Sequence, residues 1–138
     1  MLAVVALLAV IVVAGLLAAT QSSGELDPRS PAGVVQRYVA AVMDGDHDLA
    51  VQYFAADTTC DAEDLDRTYV DPASRVDLLA TSIDDSRAHV RIGIEVGTDA
   101  LLGNTWTDER TIRLTKSDGQ WQITGIPWPL YECGVWSK

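Results

Sequence analysis

Positive charge is what this sequence has least of: Lys and Arg number 10 against 20 Asp and Glu, a formal net charge of −10 at pH 7. A chain so acidic repels nucleic-acid phosphates and anionic lipid headgroups, which excludes nucleic acid as a partner and excludes docking through a polybasic patch. The excess carboxylates read as a solvated surface. Histidine is sparse as well, with only His47 and His89. His47 lies within Asp46-His47-Asp48 at a helix start, where the two carboxylates read as capping groups rather than metal ligands. His89 alternates outward from a strand with no acidic neighbour in sequence, so nothing equips it as a general base. No Ser or Cys stands in a nucleophile elbow or beside a histidine. No cofactor or metal is implied, and the chain reads as non-catalytic.

Charge of either sign is missing from Met1 to Thr20, MLAVVALLAVIVVAGLLAAT. About 20 such residues at 1.5 Å rise cover the roughly 30 Å hydrocarbon core of a bilayer. Residues 1–20 are therefore expected to be a transmembrane anchor in contact with the lipid bilayer. A cleaved secretory signal is the alternative, although its apolar stretch is shorter, about 7–15 residues, and follows basic residues that are missing here. Residues 21–29, QSSGELDPR, are small, polar and turn-rich, and read as a linker. Cys60 and Cys133 are the two cysteines. A lone pair in loop-like surroundings is expected to form a disulfide in an exported domain. These features place the protein in the cell membrane, single-pass, with its C-terminal domain extracytoplasmic; Lys and Arg, which set orientation, are absent before the run.

Residues 30–138 are long enough for one domain around one core. Ser30 and Pro31 open a helix as N-cap and first helical residue. Val34, Tyr38 and Val42 recur at i, i+4 and i+8, with Val35, Val39 and Met43 alongside, and Gly45 ends the element. Asp46 then caps a second helix that carries Leu49, Ala50, Tyr53 and Phe54 on its buried side. Asp61 to Arg67 adds a further short turn. From Val70 the period becomes 2. Ala88, Val90, Ile92, Ile94 and Val96 alternate with Arg87, His89, Arg91, Gly93 and Glu95, the mark of a strand with one face buried. An earlier strand runs from Arg75 to Ile83 with Asp84-Asp85-Ser86 as the turn, a third spans Thr105 to Lys116, and Ser117-Asp118-Gly119 turns into a fourth bearing Trp121 and Ile123. The fold class is α+β: a transmembrane helix, then a domain of two to three helices packed on a curved antiparallel sheet of about four strands.

The segment Tyr38-x-x-Ala41-x-x-x-Gly45-Asp46-x-x-x-Ala50-x-x-x-Phe54, with the late Trp121-x-Ile123, resembles the nuclear-transport-factor-2-like superfamily of cone-shaped, cystatin-like folds. The likeness covers about residues 30–127, and with the anchor added the chain looks like the small membrane-anchored members found in actinobacteria. It implies a cone whose interior holds any functional groups. It says little about activity, because that superfamily holds enzymes, ligand binders and assembly modules.

On the third strand Trp106, Asp108 and Arg110 share parity with Ile112 and Leu114, so an unbulged strand turns all five inward. Tyr38, Trp106, Asp108 and Arg110 are thus the expected ligand pocket, with the carboxylate and guanidinium paired as its polar floor. A bulge that turns Asp108 and Arg110 to solvent is the alternative. The function that follows is a non-catalytic binding or assembly domain, its partner a protein or a second copy of itself. Two alternatives stay open: a small-molecule binder or enzyme using that pocket, and, by the resemblance, an accessory component of a secretion or lipid-import complex. An open cavity under Tyr38 and Trp106 favours the small molecule; a cavity plugged by side chains favours the binding domain.

Overall fold

A computed structural model of the chain describes residues 24–58, 60–66, 74–97, 105–125 and 130. Helix α1 (Pro31–Met43) begins where Ser30 Oγ accepts a hydrogen bond from the Gly33 N–H, with Pro31 at the first helical position. It ends at Gly45, whose φ of +72° is open to glycine without a side-chain penalty. There the Gly45 N–H bonds the Val42 carbonyl at 3.1 Å and the Asp46 N–H bonds the Ala41 carbonyl at 2.9 Å, satisfying carbonyls that the helix end leaves free. Asp46 at once caps α2 (His47–Ala50), accepting from the Leu49 N–H at 3.0 Å, and a 3₁₀ turn follows at Val51–Tyr53. Asp61 and Asp64 form a reciprocal capping box on α3 (Ala62–Leu65).

Four strands follow: β1 (Arg75–Asp84), β2 (Arg87–Gly97), β3 (Thr105–Ser117) and β4 (Gln120–Gly125). They form one antiparallel meander in the order β1-β2-β3-β4. Asp118 and Gly119, at φ +52° and +81°, make the two-residue turn between β3 and β4; this pair of positive angles matches the right-handed twist of the flanking strands. A bulge at Leu79 interrupts β1, another at Thr124 interrupts β4, and β2 and β3 pair without a shift from Arg87↔Thr115 to Gly97↔Thr105.

Ala88, Val90, Ile92 and Ile94 of β2, Ile112 and Leu114 of β3, and Trp121 and Ile123 of β4 make one buried face. Against it lie Val34, Val35, Tyr38, Val39 and Val42 of α1, with Phe54 bridging to Ile123 on the outer side of β4. The α+β order, the helix α1 and all four strands agree with the sequence reading.

The anchor does not. Residues 1–20 lie outside the described residues, as do the linker positions before residue 24. Among the described residues no helix is long and apolar enough to cross a membrane. The longest of them, α1, has 13 residues, which at 1.5 Å each reach about 20 Å of the roughly 30 Å required. The expected single-pass membrane protein with an extracytoplasmic domain is corrected accordingly. The expected Cys60–Cys133 bridge lies only partly within the described residues. Cys60 packs partly buried against the core and is not a free thiol, whereas Cys133 lies outside the described residues.

Candidate functional site

Tyr38, on the sheet-facing side of α1, is fully buried. Its hydroxyl donates to the Leu130 carbonyl at 2.9 Å and its ring lies 5.6 Å from that of Phe54, tilted by 44°. Burial raises the phenol's pKa above the usual tyrosine range, because the ionised form has no water to solvate it. A side chain so enclosed fills the space beneath the sheet.

Asp108 and Arg110 stand on the same face as the core. Directly across β2 they meet Ile94 and Ile92, both buried, and no bulge intervenes, so the inward parity holds. The Arg110 Nη2 donates to Asp108 Oδ2 at 2.5 Å, and the two side chains keep 34% and 35% of their surface exposed. The pair is therefore partly solvated, each side chain about a third exposed. Arg110 Nε is buried without a hydrogen-bond partner among the described residues. Trp106, one step further along β3, is 64% exposed. The four residues expected to line one pocket thus occupy three environments: sealed core, half-wet ion pair and open surface.

His47 Nδ1 lies 2.5 Å from Asp66 Oδ1, a contact between α2 and the end of α3 that joins residues 19 apart in sequence. Asp46 is engaged in capping, and among the described residues no group of three or more His, Cys, Asp or Glu side chains is placed to hold a metal ion. His89 is exposed on the outer face of the sheet.

An apolar concave feature lies elsewhere. Between α1 and β1 runs an apolar groove of about 280 Å³, lined chiefly by Val35, Val39, Met43, Val76, Leu78 and Ile92. Leu26 closes one end, held there by its N–H bond to Gln36 Oε1 at 2.9 Å and by the adjacent Glu25–Arg37 ion pair at 3.1 Å. Val35, Val39 and Met43 form a second apolar stripe on α1, one position on from Val34, Tyr38 and Val42. Both stripes contribute to the core, and the second also borders the groove beside β1.

No protein-family model and no curated protein matches the chain. A solved structure does match: the solution structure of a SEC-C motif containing protein from Rhodopseudomonas palustris, at 22% identity over 79% of this chain and 82% of that one, with a TM-score of 0.49. The nuclear-transport-factor-2-like resemblance is corrected by these findings, which hold no such protein and in their place a SEC-C motif protein. Its physical basis was thin. The spacing from Tyr38 to Phe54 reports an amphipathic helix, a glycine stop and a second capped helix, which many α+β domains share. At the TM-score found, the SEC-C match carries no inference about this chain, and the functional reading rests on its own geometry.

Beside the groove, β1 is an edge strand with no neighbour on its outer side among the described residues. Its core-facing side chains are poorly covered: Leu78 is 45% and Ile83 57% exposed. The groove therefore opens onto a strip of apolar surface bordered by the edge of β1, whose outer side is not paired with another strand among the described residues.

Proposed function

We propose that the domain is a non-catalytic binding module whose partner is a protein chain laid along β1, with apolar side chains seated in the groove between α1 and β1. The observation that carries this reading is the continuity of groove and edge. A small molecule would use the groove alone, whereas an extended chain uses the groove for its side chains and the open edge of β1 for its backbone. Exposed leucine and isoleucine beside an unpaired edge is an aggregation hazard that proteins ordinarily cover. The bulge at Leu79 limits indiscriminate pairing by bending the strand, and leaves room for a partner shaped to it.

The alternative with Asp108 and Arg110 as the floor of a small-molecule pocket gains nothing from Tyr38, which plugs the space beneath the sheet. The reading as an accessory of secretion or lipid import depended on the corrected resemblance and lapses with it.

A photoreactive residue in place of Leu78, in the full chain, identifies what docks there. The captured protein is then purified and its affinity measured against wild type and Leu78→Glu. Placing a carboxylate in the apolar strip should weaken binding by about tenfold or more, some 1.4 kcal/mol. Equal affinity for the two proteins would remove β1 from the interface and the reading with it.

A further inference from the structure

The outer face of the sheet gathers cations in a protein that has few. Arg87, His89 and Arg113 all project to that face: His89 is directly opposite Arg113, and Arg87, opposite Thr115, sits diagonally from it. They line a shallow pocket of about 350 Å³ together with Thr115, Thr124 and Asp57. Two further arginines of the same face are neutralised, Arg75 by Asp77 at 3.1 Å and Arg91 by Glu109 at 3.7 Å. Arg87 and Arg113 form no ion pair with any described carboxylate, although the chain carries 20 acidic residues to its 10 basic ones. Asp57 faces the same pocket yet makes no ion pair with either.

Arg87 and Arg113 are like charges diagonal to one another across the β2–β3 pair, within reach of each other's long side chains, and their repulsion costs stability. An arrangement of this kind persists at little cost if an anion neutralises it. The second observation concerns how Arg113 is held. It pairs with Gly125 across the bulge at Thr124, and a Cβ built on Gly125 would lie 2.6 Å from Nη2, 2.8 Å from Nε and 3.0 Å from Cζ of Arg113. The guanidinium thus lies close over the Gly125 backbone, in space that a side chain there would fill. Preorganised in this way, a guanidinium loses less side-chain freedom per hydrogen bond it makes.

We propose that Arg87, His89 and Arg113 form a binding site for an oxyanion of the phosphate type. Two guanidinium groups opposed by one carboxylate carry a net positive charge, and with the imidazole they offer more donors than a two-oxygen carboxylate ligand can use, which suits an oxyanion with several oxygens. Arg113 presents its fork to the oxygens, Arg87 closes on them from the neighbouring strand, and His89 supplies a ring N–H between the two. The site lies on the face of the sheet opposite the groove, so it stands independently of the docking surface on β1.

The test is a titration of the full chain with inorganic phosphate and, separately, with O-phosphoserine, at constant ionic strength, followed by amide NMR shifts. Saturable shifts centred on His89, Arg113 and Gly125 are expected for one or both. Tighter binding of phosphoserine points to a phosphoryl group borne on a protein, and tighter binding of phosphate to the free ion. Arg87→Gln and Arg113→Gln should each weaken binding about tenfold. Gly125→Ala, which pushes the Arg113 guanidinium off its seat while keeping every charge, should weaken it by several-fold with melting behaviour preserved. Acetate should bind at least tenfold more weakly than phosphate. Shifts that rise linearly without saturating, equal affinity for acetate, or unchanged binding in both arginine variants would overturn the proposal.

Discussion

Removing one oxygen atom, Tyr38→Phe, probes how α1 is locked to the distant end of the chain. The hydroxyl donates to the Leu130 carbonyl, 92 residues away, and both partners are fully buried. Phenylalanine keeps the ring and its contact with Phe54, so the change leaves only an acceptor stranded without a donor. An unsatisfied buried group of this kind costs about 1–3 kcal/mol. In a domain of roughly 100 residues, each kcal/mol lowers the melting temperature by about 4–8 °C. The buried phenol also makes a second, pH-dependent signature. Its pKa is raised in the folded protein, so its contribution is present in full below the unfolded tyrosine value near 10 and is lost as pH rises from there toward the folded value. Above pH 10 wild type should therefore lose about 1.4 kcal/mol per pH unit relative to Tyr38→Phe, in which this group is gone and all other groups cancel. Denaturant melts of both proteins at pH 8 and pH 11 measure it. A difference below about 0.5 kcal/mol at pH 8, or one that stays constant between the two pH values, would refute the reasoning.

The Asp108–Arg110 pair is a third exposed on each side, so it falls between a buried bridge, where removing one partner costs about 3–5 kcal/mol, and a surface one at about 0–1 kcal/mol. After solvent screening, Asp108→Ala and Arg110→Ala should each cost about 1–2 kcal/mol, and the double variant less than their sum; simple additivity in denaturant melts would show that the two side chains act separately. At Gly119, with φ +81° and open space around the missing side chain, Gly119→Ala should cost about 1–2 kcal/mol from backbone strain alone. A neutral result there would mean that the β3–β4 turn relaxes to another geometry.

Local signals in the sequence were read well. Ser30-Pro31 and Gly45 bound α1 because capping and left-handed backbone geometry depend on adjacent residues only. Ser117-Asp118-Gly119 marked its turn for the same reason, and the alternation of Ala88 to Ile94 marked the central strand because both sheet neighbours and α1 bury one face of it. The parity of Asp108 and Arg110 was legible only as one of two readings, because nothing in the sequence shows that β2 and β3 pair without a bulge. What failed was long-range. How far the end of β3 is covered depends on what packs over it from elsewhere in the chain, and no residue of β3 records that Trp106 stays 64% exposed. The bulge at Leu79, the His47–Asp66 contact and the seat of Arg113 on Gly125 arise from packing between elements that the sequence separates. The family resemblance failed for the opposite reason: its motif was wholly local.

The central claim, that the α1–β1 groove and the open edge of β1 form the docking surface, is tested most directly by mapping the bound state. Amide spectra of the labelled full chain are recorded with and without the unlabelled partner that cross-links at Leu78. The account predicts that the shifts concentrate on Val76 to Ile83 of β1 and on Val35, Val39 and Met43 of α1, with slowed hydrogen exchange for the outward amides of β1. Shifts confined to the outer face of β3 and β4, or to the turns around α2 and α3, with β1 silent, would contradict it.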